Sequence, residues 1–220
     1  MGYGFKVDIR GDYALFSRPE LKVERYSYDV ITPSAARGIL EAVMWKPAIR
    51  YVIDRIYVLS EIRTTNIRRN EVSQKLSASL ALSAMNGSDK PLYLASSANI
   101  QQRAATLLRD VHYTVEAHFE MTDKAGPTDT PEKFYNMILR RLRGGQCYHQ
   151  PYLGCREFPA EVALCEVDIP LSFYGNLPER DLGLMLHDMN FSDPADVRPL
   201  FFRAVMRHGV IDLTDCEVLS

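Results

Sequence analysis

Residues 111–121 alternate strictly between apolar and polar side chains. The odd positions are Val111, Tyr113, Val115, Ala117, Phe119 and Met121, and the even positions are His112, Thr114, Glu116, His118 and Glu120. A period of two is typical of a strand with one face in the core and one face in solvent. We therefore expect two imidazoles and two carboxylates in a row on the solvent face of a sheet.

The flanking patterns indicate two strand–helix–strand units. Residues 3–10 alternate as a first strand, and Thr32-Pro33 supplies an N-cap and a first-turn proline for a helix. Residues 49–62 are rich in β-branched and aromatic side chains, as strands are. Thr130-Pro131 repeats the helix-start signature, and Gly144-Gly145 ends that second helix. This order of elements is that of the split βαβ, ferredoxin-like fold.

The remaining stretches are less regular. Residues 64–102 are rich in Ser, Asn and Arg, which predicts a long irregular connection that is functional or mobile. Three later segments are expected to be strands of a smaller antiparallel sheet: 182–191, 200–206 and 210–213, the last two joined by a tight turn at His208-Gly209. We predict an α+β protein with a ferredoxin-like (RRM-like) N-terminal domain over residues 1–168 and an antiparallel β-sheet extension over residues 169–220.

Charge is distributed unevenly along the chain. The formal net charge of the 220 residues is −2, which argues against a surface that coats polyanions as a whole. Residues 62–109 carry seven basic and two acidic side chains, whereas residues 176–220 carry eight acidic side chains and four arginines. A basic middle could meet phosphates, although scattered solvated charge explains the same counts equally well.

Several classes of protein and of site are not expected. No apolar run reaches the length of a membrane span and no signal peptide is recognisable, so we expect a cytoplasmic protein with no membrane association. The four cysteines lack the spacing of a metal site, so reduced thiols are expected and zinc is not. The sequence has no nucleotide-binding glycine signature, hydrolase elbow or metalloprotease motif. We predict no metal and no cofactor.

Aromatic and basic residues meet at the ends of the predicted elements. Examples are the segments 26–28, 45–46 and 147–152. An open sheet face flanked by aromatic rings and cations suits single-stranded RNA, although each tyrosine alone is more often a core or rim residue. Gly154 lies between bulky residues, which indicates either a positive φ or a close backbone approach. Arg156 could hold a phosphate or pair with Glu157.

Seven segments together resemble one known family, and they span nearly the whole chain. They are residues 12–16 (DYALF), 32–47 (with TPSAARGILE and WKP), 62–64 (IRT), 108–119 (LRDVHYTVEAHF), 152–158 (YLGCREF), 184–188 (LMLHD) and 201–206 (FFRAVM). The family is that of the CRISPR-associated RAMP endoribonucleases of type I-C (Dvulg) systems. Any one segment would be a weak signal, whereas the set in this order is specific.

The resemblance implies metal-independent cleavage of precursor CRISPR RNA at the repeat hairpin by an RRM-like domain. It also implies that the product 5′ handle stays bound within the interference complex. Members are described with a tyrosine, a lysine and a histidine as catalytic set, and the histidine corresponds to His118. The positions expected for the lysine and the tyrosine hold Glu116 and Met44. The further catalytic candidates are Lys46, Tyr28 and Trp45.

The predicted partners are CRISPR repeat RNA, or the mature crRNA, and other subunits of the type I-C interference complex. The expected RNA-binding residues are Arg63, Arg68, Arg69, Arg109, Tyr152, Gly154 and Arg156. The basic middle of the chain could also support affinity for double-stranded DNA, which no motif demands.

The chemistry expected is attack of an RNA 2′-hydroxyl on its own phosphate, which leaves a 2′,3′-cyclic phosphate. A histidine can serve as base or acid in this reaction, and a lysine can stabilise the developing negative charge. Glu116 is expected to favour the imidazolium form of His118 from the same face of the strand. The alternative hypothesis is a non-catalytic subunit that only holds the 5′ handle, which the departures at Met44 and Glu116 favour. A β-rich scaffold that does not bind RNA ranks third.

Overall fold

The computed structural model describes residues 3–21, 23–191, 193 and 195–219. In chain order the elements are β1 (Phe5–Ala14), β2 (Arg25–Tyr26), α1 (Pro33–Val43), β3 (Ile49–Val58), β4 (Arg63–Val72), α2 (Ala78–Met85), a short 3₁₀ helix (Ser96–Asn99), β5 (Ile100–Met121), α3 (Pro131–Arg143), β6 (Glu161–Leu164), β7 (Arg180–Asn190), β8 (Arg198–Met206) and β9 (Val210–Asp212). The fold therefore mixes helices with antiparallel sheet, as predicted. Among the helices described, none has the length and apolar character needed to cross a membrane.

Helices α1 and α3 begin where the sequence predicts. The hydroxyls of Thr32 and Thr130 accept hydrogen bonds from the backbone N–H groups of Ala35 and Lys133, at 3.2 and 3.3 Å. A proline occupies the first turn of each helix, where its missing N–H costs nothing. Helix α1 packs beside β3, α3 packs beside β6, and the two helices contact each other. They therefore lie on one side of the sheet.

The larger sheet has the strand order β6-β1-β5-β3-β9, with every neighbouring pair antiparallel. Strand β5 is its centre, and the odd residues from Val111 to Phe119 are buried. The predicted alternation is confirmed, because His112, Glu116 and His118 keep partial contact with solvent. Thr114 is the exception and is fully buried. Its cross-strand neighbours on that face are Asp8 and Tyr57, whose larger side chains flank it on both sides.

The sequence predicts an irregular connection over residues 64–102, but residues 64–72 and 100–102 lie in paired strands and Ala78–Met85 forms α2. Strand β4 pairs antiparallel with the first half of β5 along its whole length, from Arg63 opposite Arg109 to Val72 opposite Ile100. We call residues 63–109, which are these two paired strands and the segment 73–99 that joins them, the arm. The prediction was wrong because both faces of the arm carry polar side chains, so the period-two signal is absent. Strand β5 passes from the arm into the sheet at Asp110, which has a φ of 54°.

The C-terminal strands divide between two sheets. Strands β7 and β8 form a separate two-stranded sheet. Strand β9 follows the predicted tight turn, in which His208 and Gly209 both have positive φ. The sequence analysis placed this last strand in the smaller sheet, but it pairs with β3 of the larger one. Three residues do not encode their partner, and the edge of β3 offers unpaired backbone groups that β9 satisfies.

Candidate RNA interface

His118 lies on the polar face of β5, opposite Val52 of β3. Its Nδ1 is 2.9 Å from each carboxylate oxygen of Asp54, which stands at a β-bulge between Ile53 and Arg55. The two side chains are 29% and 26% exposed. The carboxylate accepts the Nδ1–H and so favours the tautomer in which Nε2 carries the lone pair. Nε2 is therefore the nitrogen that can exchange a proton with a ligand.

Glu116 is not the acidic partner of this imidazole. Its carboxylate lies 3.4 Å from Lys6 Nζ and 3.4 Å from Arg55 Nη1. Sequence reasoning missed Asp54 because it lies 64 positions before His118, on another strand, at a bulge that interrupts the alternation. On the other side, a hydrogen bond from Arg50 lowers the pKa of Glu120, and the charge of nearby His118 adds to the effect. Glu120 is thus a second carboxylate close to the imidazole.

His112 forms a second imidazole–carboxylate pair on the same face. Its Nε2 lies 2.6 Å from Asp8 Oδ1, and Asp8 also accepts a hydrogen bond of 2.7 Å from Arg10. Six residues of strand separate the two histidines, which is about 20 Å at ~3.3 Å per residue. The arginine already neutralises Asp8, whereas no described cation forms an ion pair with Asp54 apart from His118. The two pairs therefore differ in charge although their geometry is similar.

Trp45 and Lys46 lie in the connection from α1 to β3. That connection is bonded to the end of β5, where the Thr122 hydroxyl donates to the Pro47 carbonyl at 2.6 Å. A hydrogen bond from Lys133 lowers the pKa of Asp129, and the charge of Lys46 contributes to this lowering. Lys46 is therefore close to the start of α3. Among the described residues, His118 forms no hydrogen bond or ion pair with Lys46 or Trp45.

Tyr28 is a core residue, with only 2% of its surface exposed. Burial raises the pKa of its phenol above the ordinary value. The Arg18 guanidinium lies 4.5 Å from the centre of the ring. Met44, at the position expected for a tyrosine, is buried as well, and its carbonyl accepts the Tyr51 hydroxyl at 2.7 Å. In this conformation neither side chain has a surface that RNA could touch.

The arginines of the arm divide into different environments. Arg63 and Arg109 are opposite each other at the base of the arm, and Asp110 lies 3.6 and 3.8 Å from them. Arg69 forms an ion pair with Glu157 and lies 5.5 Å from the Phe158 ring centre, so it ties the arm to the segment 152–160. Arg68 is on the opposite face of β4 because strand side chains alternate. It is exposed and forms no ion pair within the described chain.

Gly154 confirms both expectations for its backbone. Its φ is 82°, and a Cβ at this position would lie 2.0 Å from the carbonyl oxygen of Leu15. The same segment is bonded to Leu15, whose N–H donates to the Leu153 carbonyl at 3.0 Å. Tyr152 and Gly154 line a cleft of about 360 Å³ beside the first turns of α1. Arg156 is exposed and has no ion pair in the part of the chain that the structure describes.

Comparison with known proteins gives consistent results over nearly the full length. A Cas5d family model, described as CRISPR-associated protein (Cas_Cas5), matches residues 4–214. The CRISPR pre-crRNA endoribonuclease Cas5d of Mannheimia succiniciproducens is 51% identical over 218 residues, which is 97% of this chain and 96% of that relative. The protein of the same name from Thermus thermophilus is 41% identical over 225 residues, covering 94% and 90% of the two chains.

A solved structure shows the same fold. It is described as the crystal structure of a CRISPR-associated protein, and it aligns with a TM-score of 0.70 at 24% identity. The alignment covers 99% of this chain and 96% of that one. The family match and the two relatives show the family: the chain belongs to the Cas5d family of CRISPR-associated proteins.

Proposed function

We propose that this protein is a metal-independent endoribonuclease that cleaves precursor CRISPR RNA at the repeat hairpin. It then keeps the 5′ handle bound as a subunit of the type I-C interference complex. The single observation that carries the catalytic part is the His118–Asp54 pair on the polar face of β5. The identity of 51% to a relative named as a pre-crRNA endoribonuclease supports the choice of substrate. Such a subunit works in the cytoplasm, where the transcript is made.

The strand order supports a ferredoxin-like arrangement of the N-terminal part. Strands β6, β1, β5 and β3 are adjacent in that order, and α1 and α3 follow the first and third strands of this set in the chain. This is the connectivity of a split βαβ fold. We retain residues 1–168 as the RNA-binding and catalytic domain and residues 169–220 as the extension, with β9 of the extension paired to β3.

The proposed reaction needs one proton removed and one proton supplied. The 2′-oxygen attacks the adjacent phosphorus, the bond from phosphorus to the 5′-oxygen breaks, and a 2′,3′-cyclic phosphate and a 5′-hydroxyl result. His118 Nε2 takes the proton from the 2′-hydroxyl or gives one to the 5′-oxygen. Asp54 stabilises the imidazolium form in either role. The RNA contacts come from the exposed residues of the predicted set, which are Lys46, Trp45, Arg63, Arg68, Arg69, Arg109, Tyr152, Gly154 and Arg156.

The test is a cleavage assay on a synthetic repeat hairpin in EDTA, comparing His118→Ala with His112→Ala. We expect His118→Ala to lose about 100-fold or more in cleavage rate while binding the hairpin as well as the wild type does. His112→Ala removes the other imidazole of the same strand and is expected to cleave normally. Wild-type cleavage rates in His118→Ala would contradict the proposal.

The alternative is a non-catalytic subunit that holds the 5′ handle. It is favoured by the burial of Tyr28 and Met44 and by the presence of Met44 and Glu116 where the family's tyrosine and lysine are expected. In that case the wild type binds the hairpin and does not cleave it. Affinity for double-stranded DNA would draw on exposed cations such as Arg68 and Arg156, and it would fall steeply with added salt.

A further inference from the structure

Three exposed rings lie at the C-terminal end of α1. The backbone N–H groups of Tyr148 and His149 both donate to the Ala42 carbonyl, at 2.8 and 3.1 Å. These two bonds hold the segment after α3 against the last turn of α1. Trp45 comes three residues after Ala42, so the two ring-bearing segments meet. Trp45 is 58% exposed and Tyr148 is 71% exposed.

Two of the three rings contact each other although they are exposed. Tyr148 and His149 contact each other at 4.3 Å between ring centres, with their planes 63° apart. The Gln146 N–H donates to the Arg141 carbonyl at 2.9 Å, which fixes the start of the same segment on α3. Exposed aromatic side chains of this number in one place are uncommon, because their burial elsewhere would be favourable. A preset ring loses little conformational freedom when a ligand stacks on it.

The exposed apolar surface here is aromatic rather than aliphatic. Within residues 41–48 and 140–152 the exposed large apolar side chains are those of Trp45, Tyr148 and Tyr152. At the tip of the arm, by contrast, the exposed large apolar side chains include the aliphatic Leu82 and Met85. Such a mixed apolar surface is typical of a contact with another protein. Aromatic rings without aliphatic neighbours fit the flat faces of nucleobases.

The charge around the rings also fits a polyanion. Arg141 donates to the Val43 carbonyl at 2.7 Å and forms no ion pair with a described carboxylate. Two nearby carboxylates already form ion pairs: Glu41 pairs with Arg37, and Asp129 pairs with Lys133. A hollow of about 230 Å³ next to the segment is lined by Arg141, Gln146, Gln150 and one acid, Glu161. Such donors suit the sugar–phosphate chain of a nucleotide whose base lies on the rings.

We propose that Trp45, Tyr148 and His149 form a stacking platform for unpaired nucleotides of the repeat RNA, built from the segments that follow α1 and α3. The proposal rests on the proposed function, because it assumes that the ligand is the repeat RNA. It adds that single-stranded bases beside the hairpin, and not only its phosphates, are recognised at this place. Stacking tolerates any base, so the platform positions the flanking strand without reading its sequence.

Trp45 is the single tryptophan of the chain, so its fluorescence reports on the platform alone. The full-length protein is titrated with a short single-stranded RNA taken from the flank of a repeat hairpin. Anisotropy of a label on the RNA measures total binding in the same samples. We expect the tryptophan signal to be quenched with the same midpoint as the anisotropy change. An abasic RNA of equal length keeps the phosphates and is expected not to quench.

Variants provide the matched comparison. Tyr148→Ala is expected to weaken binding of the short RNA about tenfold, while Tyr148→Phe keeps the ring and binds as the wild type does. Phe191→Ala removes an aromatic ring that is 63% exposed elsewhere and is expected to have no effect. RNA binding without quenching, or unchanged binding by Tyr148→Ala, would overturn the platform and leave the proposed function standing. A wild type that binds no repeat RNA at all would overturn both.

Discussion

Asp54 decides which nitrogen of His118 carries the proton, and this is the residue-scale feature on which the proposed chemistry depends. It accepts from Nδ1, so the proposed reaction uses Nε2. Asp8 holds the other histidine of the strand through Nε2, so the two imidazoles present different nitrogens. The polar face of β5 could be predicted from the alternation of its residues. The pairing with Asp54 could not, since the register between β3 and β5 and the bulge at Ile53/Arg55 are tertiary facts.

Asp54→Asn tests this role. The asparagine amide can donate to Nδ1, which shifts the proton to Nε2 and removes the charge that stabilises imidazolium. We expect the cleavage rate to fall about 100-fold or more, with RNA affinity unchanged and the pH–rate profile altered. Asp8→Asn is the matched control and is expected to cleave normally. An Asp54→Asn protein with the wild-type rate and pH profile would show that Asp54 does not position His118.

At the scale of elements, the segment 152–160 is shaped by one glycine. Its backbone runs so close to Leu15 that a side chain at Gly154 has no room, and its φ lies in the left-handed region. The neighbouring Tyr152 and Arg156 are thereby presented beside the arm, to which Arg69 links the segment. The residue types around Gly154 indicated an unusual backbone. The close approach of this backbone to Leu15 depends on the tertiary position of β1 and of the residues after it, which the local sequence does not specify.

Gly154→Ala is expected to destabilise the protein by about 2 kcal/mol or more, because a left-handed conformation costs about 1–2 kcal/mol and the carbonyl of Leu15 must also move. Gly145→Ala is the control, since Gly145 has a positive φ and open space around it. In this variant the free energy of unfolding is expected to fall only by the cost of the left-handed backbone conformation. Urea unfolding of both variants measures the difference. Equal losses would mean that the contact with Leu15 carries no energy.

At the scale of the whole molecule, the smaller sheet is joined to the rest of the fold through a charged contact with α1 and through the chain connection from β8 to β9. Arg37 of α1 donates to both oxygens of Asp188 in β7, at 2.9 and 2.7 Å, across 151 positions of sequence. About three-quarters of each side chain is covered. Strand β9 adds a second link, because it follows β8 in the chain and pairs with β3. The smaller sheet is therefore attached to the larger one on two sides.

Asp188→Asn is expected to lower the free energy of unfolding by about 1–3 kcal/mol, since it weakens two charge-assisted hydrogen bonds in a largely covered place. Glu179→Gln is the control: its pair with Arg207 is exposed, and such pairs contribute little. Thermal and urea unfolding compare the two variants. If both shift the midpoint alike, the Arg37–Asp188 contact does not hold the sheets together.

The sequence by itself determined the local structure and the family. The caps at Thr32 and Thr130 determine where α1 and α3 begin, and the alternation over 111–121 determines which face of β5 is polar, because both depend on neighbours within a few positions. Only the tertiary structure decided that Asp54 meets His118, that Tyr28 is buried, that β4 pairs with the first half of β5, and that β9 leaves the smaller sheet. Each of these features depends on strand register and on packing between distant segments. The residues of a short stretch do not specify which distant segment they will contact.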